Sequence, residues 1–262
     1  MMKDVVLAIG AHPDDIEFFT GGTIAQFCES GKEVFYVITT DGQRGTLDPA
    51  ANPQDIIKTR EKETRDAAES LGVKEVFFLG YEDGFLDQIP HLELREKYIY
   101  YIRKLKPHIV MTFDPWNPYE PHSDHRKTAM AAFESCYFSH YPLFHPDQNL
   151  SKHFVGELWL FRTPQPNTWI PLQLKGLRTK VKALLKHATQ MDMLKEETIE
   201  QIKAASIDIS VIEHVDTKTL IDIFVRRMAE DAGKSGGHKF AEAFNVLKLG
   251  YAEDIKKVIS SL

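Results

Sequence analysis

The chain has 262 residues, 43% hydrophobic and 27% charged, an ordinary globular composition with enough apolar material for one large α/β domain or two small ones. A formal net charge of −6 and a pI near 6.0 exclude a general attraction for the nucleic-acid backbone or for anionic lipid. No stretch approaches the roughly 18 consecutive apolar residues of a membrane span, and the N-terminal apolar run, Val5 to Ile9, is too short for a signal peptide. Cys28 and Cys136 are the only cysteines. Two thiols in helical patterns make no disulfide framework, and they fit a reducing compartment. A cytoplasmic protein with no nucleic-acid or membrane partner is expected. The most basic stretch, Lys175 to Lys186, reads as the solvated face of a helix.

In chain order, residues 5–9 read as a buried parallel strand. Gly21-Gly22 opens a helix that runs to Ser30, with Gly31 as its C-cap. Residues 34–39 are the next strand, followed by a Gly- and Pro-containing loop to Pro53. A long helix covers 54–71 and stops at Gly72; a short strand follows at 76–79. A helix spans 92–105, a strand 109–113, and Ser123 caps a helix to Ser139. Strand and helix thus alternate four times. That order calls for an α/β fold, a Rossmann-like three-layer sandwich with a mainly parallel sheet. The second half is less regular: a strand at 154–161, a Pro/Asn turn at 164–167, helices at 174–190 and 194–205, and a strand at 219–223. A tail follows with Gly233, Gly236-Gly237 and an apolar-spaced segment from Phe240. No repeat or low-complexity linker interrupts the chain. One domain is expected over 1–262, with a core at 1–150 and a C-terminal portion, 151–262, packed on it.

His12-Pro13-Asp14-Asp15 directly follows the first strand, and His122-Ser123-Asp124-His125 follows the fourth after a loop. In open α/β sheets the carboxyl ends of strands are where ligands bind, so the two clusters can converge there. Zinc accepts imidazole nitrogen and carboxylate oxygen, and a catalytic site keeps one position open for water. His12, Asp15 and His125 would supply three ligands. Asp14 would then remain beside the water as a general base. Each cluster alone has a plainer reading: a turn with Asp14 capping a helix, or a solvated first turn with Asp124 favoured by the helix dipole. Their pairing favours the metal.

These segments resemble the PIG-L/LmbE-like family of zinc-dependent N-acetylglucosaminyl deacetylases, whose pattern begins Ala-His-Pro-Asp-Asp and usually continues with Glu. Here Ile16 comes next and Glu17 one place later. The resemblance extends over most of the chain. Gly21-Gly22-Thr23-Ile24 matches the family's first helix. Thr40-Asp41-Gly42-Gln43-Arg44-Gly45 looks like its Thr-x-Gly-Glu-x-Gly loop, with Gln43 for Glu. Arg60-Glu61-Lys62-Glu63, His187-Ala188-Thr189-Gln190 and Ala241-Glu242-Ala243-Phe244 match further segments.

The resemblance implies metal ligands at His12, Asp15 and His125 and a general base at Asp14. It implies a carbonyl-polarising or amine-protonating histidine at His122, and at Asp124 a carboxylate that orients an imidazole. Arg60 resembles an arginine that reaches substrate; the alternative is a surface pair with Glu61 or Glu63. Asp83 could accept sugar hydroxyls or simply form the turn before Gly84. His238, after Gly236-Gly237, matches a C-terminal histidine that some relatives bring to the reaction centre; the alternative is a plain loop histidine. His187 reads as structural. Asp14, His122 and His238 all remain open as proton donors to the leaving amine. The implied substrate is a soluble N-acetylglucosamine conjugate, of the bacillithiol- or mycothiol-precursor or chitobiose type, or otherwise another small amide. Homo-oligomers occur among relatives. A dinucleotide-binding oxidoreductase would need a glycine fingerprint in the first turn, and Gly10 and Gly21-Gly22 are too far apart for one. A structural zinc module would fill all four positions, often with cysteine, and neither cysteine neighbours the motifs.

Overall fold

The computed structural model describes residues 4–210, 212, 214–250, 255 and 258–260. Its strands are β1 (Val5–Gly10), β2 (Glu33–Thr40), β3 (Glu75–Tyr81), β4 (Ile109–Phe113), β5 (Glu157–Phe161), β6 (Thr168–Pro171) and β7 (Ala241–Lys248). Its helices are α1 (Asp15–Glu29), α2 (Pro53–Leu71), α3 (His91–Leu105), α4 (Ser123–Phe138), α5 (Leu174–Leu184), α6 (Ala188–Ala204) and α7 (Thr217–Gly236). The sheet order is β3-β2-β1-β4-β5-β7-β6. The first five strands pair in parallel, and β7 runs antiparallel to both β5 and β6. The expected three-layer α/β sandwich with a mainly parallel sheet is present, and the C-terminal portion adds helices and three strands, β5, β7 and β6, to its edge.

Both faces of the parallel strands are covered, so β1 reads as a continuous apolar run. Val6 and Ala8 pack with Ile16 and Ile24 of α1 on one face. Leu7 and Ile9 pack with Leu94, Tyr98 and Ile102 of α3 on the other. Every one of these side chains is fully buried. Burial of each larger aliphatic among them contributes roughly 1.5–3 kcal/mol of transfer free energy. A third cluster, including Leu177, Val181, Leu184, Ile221 and Val225, joins α5 to α7.

The structure corrects several boundaries. Helix α1 begins at Asp15, six residues before Gly21. Gly21-Gly22 lies in mid-helix, because neighbouring side chains press on it. A Cβ at Gly22 would stand 2.7 Å from Leu172 Cδ1 and 3.3 Å from a Glu242 carboxylate oxygen. The expected strand at 219–223 is part of α7. Apart from Leu220, the buried residues of α7 recur every four positions, at Ile221, Val225, Ala229 and Gly233. That helical period is visible only over the longer window.

In place of the single helix at 174–190, the chain breaks at Leu185–His187 between α5 and α6. Strand β6 follows the Pro/Asn turn directly, too short to show a period. Gly236-Gly237 closes α7, with Gly237 in the left-handed conformation at φ 75°. His122, not Ser123, caps α4: its side chain accepts the Asp124 N–H. The end of the C-terminal portion beyond Gly250 lies largely outside the described residues.

One buried contact ties the C-terminal portion to the first helix. Glu242 of β7 accepts the N–H groups of Gly22, at 3.0 Å, and Thr23, at 2.7 Å. Lys180 of α5 neutralises it at 2.6 Å, with both side chains 4% exposed. Removing one partner of such a pair leaves the other charge buried and uncompensated. Glu242→Ala is expected to cost about 3–5 kcal/mol, read from urea denaturation midpoints. A loss below about 1 kcal/mol would mean that Lys180 finds water instead.

Candidate active site

The strand order reverses between β1 and β4: β2 and β3 lie to one side of β1, while β4 and β5 lie to the other. A crevice at the carboxyl ends of the strands follows from that reversal. The first cluster enters it from the end of β1 and the second from the start of α4, just after β4.

Three donor groups meet there. His12 Nδ1 lies 3.2 Å from His125 Nε2 and 3.5 Å from Asp15 Oδ2, and His125 Nε2 lies 3.4 Å from Asp15 Oδ1. Ligands bound tetrahedrally at about 2.0–2.1 Å stand roughly 3.3 Å apart, so the donor set fits a zinc-sized ion. Ring nitrogens of His12, His122 and His125 also lie within 4.8 Å of one another. The other ring nitrogen of His12 and of His125 meets carboxylates. His12 Nε2 faces Asp124 Oδ2 at 3.2 Å and Asp83 Oδ1 at 3.1 Å. His125 Nδ1 lies 3.1 Å from Glu120 Oε1. Carboxylates in these positions fix ring orientation and make the metal-facing nitrogen more basic. The His125 ring is further held between Phe113, 4.1 Å away, and His122, 4.7 Å away.

The electrostatics follow from this crowding. Burial disfavours the His12 cation, but Asp124, Asp15 and Asp83 together hold its pKa well above the usual histidine value. Burial likewise opposes the charged forms of Asp15 and Asp124, yet both stay below the ordinary carboxylate range. His125 and His12 hold Asp15 down; His12 and the N–H groups of Gly84 and Leu86 hold Asp124 down. Asp14 behaves differently. Burial pushes it up to about 6, against the pull of Arg60. His122 is lowered by burial and by the neighbouring imidazoles of His12 and His125.

Asp14 has a backbone φ of 102°, in the left-handed region. Non-glycine residues held there cost of order 1–3 kcal/mol and gather at functional sites. Although it occupies the N-cap of α1, its side chain makes no capping hydrogen bond, so the carboxylate is not committed to the helix end. Arg60 supports the turn. It is buried, donates to the carbonyls of Pro13 and Gly42 at 2.7 and 2.8 Å, and approaches Asp14 Oδ2 at 3.4 Å. Neither Glu61 nor Glu63 claims it; Glu63 accepts from Thr189 instead. Gly42 has φ 67°, and a Cβ there would meet an Arg60 nitrogen at 2.7 Å.

The structure therefore brings together His12, Asp14, Asp15, Arg60, Asp83, His122, Asp124 and His125. Asp83 and Arg60 face the cluster itself: Asp83 orients His12, and Arg60 braces the Asp14 turn. His238 stands apart. It is exposed beyond the end of α7, where its N–H donates to the Gly233 carbonyl at 2.8 Å. Sequence reasoning missed Glu120 and Arg162. Glu120 lies two residues before His122 and could have been found as an acid beside the second motif; Arg162, after β5, carries no local signal. A cavity of about 190 Å³ opens onto the cluster, bordered by Asp14, Asp15, His125, Phe19, Arg162 and Gln190.

Behind the Asp14–Asp15 turn, the fully buried His187 lies with its Nε2 3.5 Å from Glu17 Oε2. Burial works against the His187 cation, but Glu17 outweighs it and raises the pKa above the ordinary value. A raised folded-state pKa contributes stability that is fully present below the unfolded value, about 6.5, and is lost as pH rises through the folded value. His187→Gln is therefore expected to destabilise the protein more at about pH 5.5 than at about pH 9. Denaturation curves at the two pH values check this, and equal losses at both would show that the pair carries no charge.

Comparison with known proteins agrees with the site. The family described as "GlcNAc-PI de-N-acetylase" (PIG-L) matches residues 7–136. The diacetylchitobiose deacetylase of Thermococcus kodakarensis is 30% identical over 241 residues, 90% of this chain and 80% of that protein. A probable N-acetyl-alpha-D-glucosaminyl L-malate deacetylase 2 of Bacillus anthracis is 32% identical over 133 residues, 50% of this chain and 58% of that protein. The solved structure of N,N'-diacetylchitobiose deacetylase from Pyrococcus horikoshii superposes with a TM-score of 0.78 at 30% identity, covering 94% of this chain and 85% of that one. The chain belongs to the PIG-L/LmbE-like deacetylase family. It is a hydrolase of that family with a His/Asp cluster able to hold a metal ion. Among the described residues, no helix is long and apolar enough to cross a membrane.

Proposed function

We propose that this protein is a zinc-dependent deacetylase that removes the acetyl group from a small N-acetylglucosamine conjugate. The observation that carries the reading is the set of donor atoms on His12, Asp15 and His125, 3.2–3.5 Å apart, with Asp14 next in the chain and not committed to capping its helix. The names of the relatives above supply the amino-sugar class. Two of them are named for diacetylchitobiose and one for a malate conjugate.

His12, Asp15 and His125 would hold the ion. An ion held there would supply Lewis-acid chemistry, a more acidic water and a polarised amide carbonyl. Asp14 takes the water's proton. A carboxylate whose pKa is raised to about 6 is mostly charged at neutral pH yet accepts a proton more readily than an exposed aspartate. His122 supplies a hydrogen bond to the oxygen that gains charge. Its Nδ1 accepts the Asp124 N–H at 3.3 Å, which leaves the proton of the neutral ring on Nε2 as a donor. The lowered pKa of His122 keeps that neutral form in place near pH 7. Asp14, once protonated, returns the proton to the departing amine. His238 takes no part in this scheme from its exposed position.

Acetate release from N-acetylglucosamine conjugates, with metal content measured on the same preparation, tests the reading. About one zinc per chain is expected, falling in His12→Ala and His125→Ala. Protein that neither retains nor takes up zinc, and releases no acetate, would end it. Asp14→Asn is expected to keep its metal and lose turnover by roughly 10²–10⁴-fold. His122→Ala is expected to keep its metal and to lose kcat more than it gains in KM, by about 2.7–4 kcal/mol in barrier height. Loss of the metal from that variant would make His122 a ligand, as its place among the three clustered imidazoles allows.

A further inference from the structure

Arg162 follows β5 at the carboxyl end of the sheet, the same end that carries the histidine cluster. Its backbone has φ 52°, in the left-handed region. No glycine relieves the position, so the surrounding structure sustains the strain, a pattern that gathers at functional sites. The side chain is aimed by two contacts. Its Nε lies 2.6 Å from Glu120 Oε2, and its guanidinium lies over the Phe19 ring, 5.4 Å from the centroid. Glu120 is buried, and its other oxygen is the one that meets His125. Arg162 nevertheless remains 38% exposed on its side chain and borders the cavity shared by Asp14, Asp15 and His125. Among the described residues no other hydrogen bond or ion pair occupies the guanidinium.

We infer that Arg162 is a substrate-binding residue, anchored by its ion pair with Glu120 and presenting guanidinium N–H donors to hydroxyl oxygens of a sugar. The inference rests on the amino-sugar reading proposed above. Three features favour neutral hydroxyls. Glu120 already balances the charge of Arg162, so the pair offers oriented donors with little net charge. The cavity also holds Asp14, Asp15 and Glu197, which repel an anionic group and accept hydroxyl hydrogens. Phe18, Phe19 and Met193 give it apolar surface, suited to the face of a sugar ring and to an acetyl methyl. Arg162 thus links recognition of the ring to the imidazole that Glu120 orients.

The test is a cycle between side chain and substrate. Methyl glycosides of N-acetylglucosamine lacking the 3-, 4- or 6-hydroxyl in turn are assayed for acetate release with the wild type, Arg162→Met and Arg162→Lys. The same glycosides are titrated calorimetrically into Asp14→Asn protein with and without Arg162→Met, a binding readout independent of turnover. Loss of one hydroxyl is expected to raise the wild-type KM about tenfold, the loss typical of one hydrogen bond to a charged group. Arg162→Met is expected to show the same rise with the intact glycoside and no further penalty for that deoxy analogue, with metal content and kcat little changed. Arg162→Lys should fall between, because it keeps the charge but not the planar fork. An unchanged KM in Arg162→Met, or deoxy penalties that persist in it, would overturn the assignment. Loss of bound metal in that variant would also overturn it, because Arg162 would then act through Glu120 and His125. No acetate release by the wild type from any glycoside would instead overturn the deacetylase reading.

Discussion

Repulsion among five carboxylates governs this site: Asp14, Asp15, Asp83, Glu120 and Asp124 all crowd around His12, His122 and His125. Such a concentration of charge out of water is unstable unless cations and donors answer it. Each carboxylate has its own answer. Asp15 and Asp83 meet His12, and Asp124 takes the N–H groups of Gly84 and Leu86 as well. Glu120 has Arg162, and Asp14 has the edge of Arg60 at 3.4 Å with weaker help from His187 and His12. The least well answered carboxylate is the one pushed upward in pKa. The raised pKa of Asp14 therefore reflects what its neighbours lack as much as what they supply.

The fold holds that arrangement by placing it where the sheet order reverses. The turn after β1 starts α1, whose inner face packs on one side of the sheet, and the second motif starts α4, packed on the other. The two halves of the site are thus fixed to opposite layers. Relative movement of those layers would require repacking of fully buried side chains, which protein interiors resist. A site assembled in this way has its polar centre fixed between packed layers, while Arg162, Phe19 and the start of α6 border the cavity at its rim.

The parallel half of the fold was legible because its strands are uninterrupted apolar runs and its helices end at glycine or proline. The convergence of the two histidine motifs was legible because both sit next to strand ends. Failures came where meaning depends on distant residues. Gly21-Gly22 looks like a helix start, yet its small size serves Leu172 and Glu242, far along the chain. Residues 219–223 look β-rich in a short window, and only the packing of α7 over several turns makes them helical. The contact of Asp83 with His12 was not legible either, because the loop after β3 meets the first motif only in the fold. Arg162 was invisible, because its relation to Glu120 exists only in three dimensions.

The contact of Glu242 with Gly22 and Thr23 spans 220 and 219 residues, and that separation shapes the order of assembly. During synthesis the first helix and the histidine motifs emerge long before the strand that receives them. The ribosome adds roughly 5–20 residues per second, so the amino-terminal half waits many seconds for its last partner. Until then Gly22 and Thr23 lack the Glu242 carboxylate, and long-range closure is slow in any case. The final strand therefore acts as a latch on a domain whose reactive end was written first.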